Sequence, residues 1–135
     1  MFPPESAPLL YQELTRIAAH TSRPAAERVL ALAALLERVF HEATRREQIV
    51  FSSLFARISY AGHLFHFQPE ILRRIHRFRL QARRVRNGHE ALEKNVQLGI
   101  QALAETVLVL TGAAIPADVI AGFDLEETQI GRAHV

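Results

Sequence analysis

The chain has 135 residues and is 49% apolar, enough to bury one core without covalent staples. It contains no cysteine, which excludes disulfides and thiolate metal sites. The pI of 9.7 accompanies a net charge of only +2, because all but one of its basic residues are arginines, so the overall balance does not by itself announce a nucleic-acid partner.

Helical periodicity dominates from the N-terminus onward. A first helix is expected from about Ala7 to His20, with Leu10, Leu14 and Ile17 recurring on one face beside Leu9. Thr21 and Ser22 end it, and Ser22 is positioned to cap a second helix whose first turn holds Pro24. That helix is expected to reach Arg46 on a stripe of Val29, Leu32, Leu36, Val39 and Phe40. No Gly or Pro separates it from a third segment, Ile49 to about Phe65, so the two either kink or run on as one long helix. The phenylalanines Phe51, Phe55, Phe65, Phe67 and Phe78 read as core, and Ser52 and Ser53 as exposed or back-bonded within the third helix.

Pro69 opens a fourth helix, since the residue before a proline leaves the helical region, and Asn87-Gly88 closes it after Arg86. On a wheel of about 100° per residue, Ile71, Ile75, Phe78, Ala82 and Val85 form its core stripe. A fifth helix is expected from about His89 to Leu110, with Leu92, Val96, Ile100, Leu103, Val107 and Leu110 along one side. Pro116 begins a last short turn through Ile120, and an acidic tail follows. The expected fold is therefore all-α: a bundle of about five mostly antiparallel amphipathic helices in a single domain, residues 1–129.

Residues 1–5 lack the basic and apolar regions of a signal peptide. The most apolar stretch, Leu98–Leu110, is broken by Gln101, Glu105 and Thr106, short of the ~20 apolar residues a membrane span needs. A cytoplasmic protein without a membrane partner is expected.

The charge distribution is more informative than its sum. Seven arginines lie between Arg73 and Arg86 with only Glu70 nearby to oppose them, leaving +6 over residues 70–88. Arg73, Arg77 and Arg84 fall opposite the core stripe, while Arg79, Arg83 and Arg86 flank it near His76. Two such ridges suit phosphate, because guanidinium forks bind phosphate oxygens bidentately and each contact releases counterions. Other readings stand beside this one. The arginines can form a solvated face, complement the helix dipole, or pair with Glu37, Glu42 or Glu93. They can also meet an acidic protein partner, with Leu72 and Leu80 as its apolar anchors. A basic amphipathic helix also suits a membrane surface, but its stripe is needed for the core. Aromatic interleaving, which single-strand binding uses, is absent from this helix.

Catalytic signals are few. His63 and His66, three apart, would share a helix face and could hold a metal only with further ligands; His41-Glu42 and His89-Glu90 lack the second histidine of a zinc motif. There is no phosphate-binding loop, and the sole lysine, Lys94, lies inside a helix. No catalytic residue and no cofactor is expected within these residues.

Two resemblances bear on origin. The stretch Phe51-Ser-Ser-Leu-Phe-Ala-Arg57-Ile-Ser-Tyr60, followed by Ile75-His76-Arg77-Phe78-Arg79, resembles the N-terminal helical region before the motor domains of some bacterial superfamily 1 DNA/RNA helicases. It would cover about residues 45–120. It implies a parent enzyme that hydrolyses ATP to translocate along nucleic acid, with this chain an accessory module that supports the motor or touches the strand. The family's phosphate- and metal-binding motifs do not occur here, so no catalytic residue is carried over. The last six residues, Ile130-Gly131-Arg132-Ala133-His134-Val135, resemble a translated sequencing-library adapter, ATC GGA AGA GCA CAC GTC, whose next codon is a stop. The expectation is that native sequence ends near Gln129 and that the parent continues beyond it, so the partners are nucleic acid, a following motor domain, or an acidic protein.

Overall fold

A computed structural model describes residues 2–126, so the adapter-like tail lies outside the described residues. Six α-helices follow one another: α1 Ala7–Ala19, α2 Ala25–Ala43, α3 Leu54–Leu64, α4 Pro69–Arg86, α5 Glu93–Thr111 and α6 Ala117–Phe123. Short 3-10 turns precede α1 (Pro4–Ser6) and follow α2 (Arg45–Glu47). There is no strand among the described residues, and no helix there is long and apolar enough to cross a membrane. The sixth helix is an addition: the expected turn at Pro116 continues to Phe123.

The core is organised around α5, which packs against α1, α2 and α4. The expectation of a single stripe there is too narrow, because residues 99–108 are buried without interruption. A helix enclosed on all sides needs small residues where neighbours come close and partners for every polar group. Gly99 and Ala102 meet the first need. Thr106 and Thr111 meet the second, each donating its hydroxyl to a carbonyl one turn back, Ala102 and Val107, at 2.7 Å. Leu92, expected in the stripe, is exposed because α5 starts only after it. His89 and Glu90 likewise precede the helix rather than open it. The Leu92 N–H is accepted by Asn95 Oδ1 at 2.8 Å, half of a capping box. The first residue of α5, Glu93, is gripped by both terminal nitrogens of buried Arg28 on α2, which holds its carboxyl below the usual range.

Three further expectations shift. The buried face of α1 is Ala7, Tyr11, Leu14 and Ala18, leaving Leu10 and Ile17 half-buried and Leu9 exposed. Ser22 caps nothing, and Pro24 itself occupies the N-cap of α2 in an extended conformation. Helices two and three are separate: Gln48 adopts a left-handed φ of 57°, residues 49–53 form no helix, and Ser53 caps α3 by accepting the Ala56 N–H at 3.1 Å. Leaving the helix after Ala43 costs α2 little, since residues 44–48 (Thr, Arg, Arg, Glu, Gln) offer no apolar side chain to the core.

Candidate functional site on the arginine helix

Helix α4 spans Pro69–Arg86, as the sequence predicts, and the same two signals set its ends. Gln68 is extended before Pro69. At the other end Gly88 takes φ 98°, its N–H reaching the Val85 carbonyl at 3.0 Å while His89 N–H reaches Arg84 at 3.0 Å. This is a Schellman closure, which the left-handed glycine permits. Ile71, Ile75, Phe78, Ala82 and Val85 are all buried, so the rotational phase of the helix is locked by the core. That phase decides where every arginine points.

Arg73, Arg77 and Arg84 are exposed on the side opposite the stripe. Arg83 and Arg86 are exposed on the flank, and Arg79 is half-buried there. None of these six makes an ion pair with a carboxylate among the described residues. The candidate internal partners are placed elsewhere: Glu93 binds Arg28, Glu42 binds Arg45, and Glu37 pairs with none of the six. The seventh arginine, Arg74, behaves differently. It turns inward to Glu105, a carboxylate only 1% exposed, and reaches Glu70 and Glu126 at 3.5 Å.

Sequence reasoning missed an aromatic component. Phe55, read as core, is 46% exposed on the first turn of α3 beside the flanking arginines. The Arg79 guanidinium lies 5.3 Å from its ring centroid, in cation–π range, and the His76 ring lies 4.9 Å from it. Arg79 Nε donates to His76 Nδ1 at 3.4 Å, and Ser59 Oγ lies 3.5 Å from Nε2. Burial and the Arg79 charge keep the His76 pKa below its ordinary value, so the imidazole is neutral at pH 7 and adds no charge. Burial and the Arg83 charge likewise lower the Arg79 pKa from a value so high that it stays protonated. The signal for Phe55 was present in Ser52-Ser53. A cap there starts the helix at Leu54 and puts Ile58 and Ala61 inward, leaving Phe55 to one side.

Phe55, Arg79, Arg83 and Arg86 line an open groove of about 630 Å³ whose opposite wall is α2, with Ala33, Leu36 and exposed Glu37. On the other side of α4, Arg77 shares a shallower depression with Asp124 and Glu126. Asp124 and Glu126 therefore sit against the α5 edge of the arginine helix. Leu80 is 49% exposed between the two ridges, whereas Leu72 packs on Gly62 of α3 and offers no anchor.

Metal chemistry finds little to work with. His66 lies past the end of α3 with φ 57°, so His63 and His66 do not share a helix face. No group of three or more His, Asp or Glu suited to a metal occurs among the described residues. No family model, no curated protein and no solved structure matches the chain.

Proposed function

We propose that the chain is a non-catalytic helical module that binds nucleic acid through α4, as an accessory part of a larger ATP-dependent enzyme of the superfamily 1 helicase type. One observation carries the binding: six arginines, Arg73, Arg77, Arg79, Arg83, Arg84 and Arg86, stand on a helix whose phase is fixed by the core, with no carboxylate partner among the described residues. Arg28 and Arg74, by contrast, are each paired with a carboxylate. Phosphate is the ligand such a surface fits, because it accepts planar guanidinium forks and brings many equivalent charges in a row. The helicase assignment is supported by the resemblance of residues 51–60 and 75–79; in that setting the module grips the strand while ATP chemistry resides elsewhere.

The test is binding of labelled DNA and RNA oligonucleotides at low salt, by the intact chain and by an Arg77→Gln/Arg83→Gln/Arg84→Gln/Arg86→Gln variant. All four side chains are exposed, so the variant is expected to keep its circular dichroism and melting temperature while losing binding. No binding by the intact chain at low salt rejects the proposal. Exposed Leu80 among the arginines favours a second reading, an acidic protein partner with one apolar anchor. On that reading Leu80→Ser weakens the interaction as much as an arginine loss, whereas phosphate binding tolerates it.

A further inference from the structure

The groove between α2 and α4, at the start of α3, combines three features. It has a row of positive charge, an accessible aromatic ring and a polarity across its width. Resting on the nucleic-acid reading above, we infer that this groove selects single-stranded nucleic acid, with the backbone along Arg79, Arg83 and Arg86 and a base stacked on Phe55.

The row comes from helical spacing. Arg79, Arg83 and Arg86 follow at i, i+4 and i+7, so they line one edge of α4 over about 10 Å at 1.5 Å per residue. That length matches about three stacked nucleotides at 3.4 Å each. The aromatic ring is Phe55, held in place by His76 and Arg79 yet 46% exposed. A bulky apolar ring left this open beside three cations has little to contribute to the fold. It has much to contribute to a base, since every base has a π-face and stacking on aromatics tolerates any sequence. The polarity comes from Glu37 on the α2 wall. A carboxylate there repels phosphate, so the backbone keeps to the α4 side and the bases turn inward, toward Phe55. His76 is neutral and adds no competing cation near the ring.

Strand selectivity follows. In a duplex the internal bases are paired and stacked on one another, and none of them can present a face to a surface ring without leaving the helix. Phe55 therefore contributes to single strands alone, while the arginines serve both forms.

The experiment compares oligo(dT) with a duplex of the same length at one salt concentration, using the intact chain, Phe55→Ala and Phe55→Trp. The expected result is tighter binding of the single strand. Phe55→Ala should weaken single-strand binding about tenfold, within the range of one base–aromatic stack, and leave the duplex unchanged. Phe55→Trp should retain the preference and report binding by quenching of its fluorescence. Equal binding of both forms, or a Phe55→Ala effect equal on both, overturns this inference while leaving α4 as a phosphate surface. No binding of either form overturns the nucleic-acid reading itself. Glu37→Gln supplies an independent check: it should tighten single-strand binding several-fold, and unchanged or weaker binding counts against the proposed polarity.

Discussion

Arg74 extends toward α5 and meets Glu105 in the interior, with the Glu70 and Glu126 carboxylates at its other terminal nitrogen. Burial raises the Glu105 pKa and Arg74 pulls it back, with burial the larger effect. A native pKa above the unfolded one means the folded state binds its proton more tightly. The contribution of Glu105 to stability is therefore most favourable below its ordinary pKa and declines as pH rises through the raised value. Arg74→Met removes the countercharge and leaves a buried carboxylate alone, which should cost about 3–5 kcal/mol at pH 7. The deficit relative to the parent chain should shrink at acidic pH, as Glu105 takes up a proton. Urea unfolding at neutral and at acidic pH measures it, and a pH-independent deficit would contradict the account. Adding Glu105→Leu to Arg74→Met should recover most of the loss, because no unpaired charge then remains. At this scale the sequence distinguishes Arg74 poorly from its neighbours. Its position on the wheel is intermediate, and only the approach of Glu105 from α5 decides that it turns inward.

The elements differ in how plainly the sequence marks them. Helix α4 is legible throughout because periodicity, an initiating proline and a terminating glycine agree. The break after α2 is not, since Gln48 adopts a left-handed conformation that sequence reasoning reserves for Gly or Asn. The start of α5 is missed for a related reason: capping by Asn95 from within the helix leaves no Ser, Thr or Asp in front to announce it. Gly99 has a packing role that periodicity cannot show. A β-carbon there would lie 2.5 Å from Phe78 Cε1 and 3.2 Å from Leu32 Cδ1, so α4 and α5 touch where only hydrogen fits. Gly99→Ala should destabilise by about 1–3 kcal/mol despite alanine's better helix propensity, because fully buried Phe78 has nowhere to move. Thermal unfolding of Gly99→Ala, with Phe78→Leu as the second change, checks this. The pair should lose less than the two single changes summed, and strict additivity would show that no clash exists. Since Phe78 also fixes the phase of α4, the same contact aims the arginines.

Across the whole molecule charge is segregated. Residues 70–88 carry +6 in a chain of net +2, so the remainder is net negative by 4. The densest positive charge lies on α4, with Asp124 and Glu126 at its α5 edge. Fold class and the six exposed or half-exposed arginines follow from periodicity and charge alone. The groove beside them does not, because it depends on where α3 begins and so on which residues flank Phe55. A surface of this kind acts through counterion release, which gives the central claim a quantitative signature. The most direct test is the slope of log affinity against log salt for a single-stranded oligonucleotide. It should be measured for the intact chain, then for Arg83→Gln, and then for Arg83→Gln/Arg86→Gln. The account predicts a steep negative slope for the intact chain that becomes shallower by about 0.7 with each arginine removed. A slope near zero in the intact chain, or one unchanged by both substitutions, would contradict it.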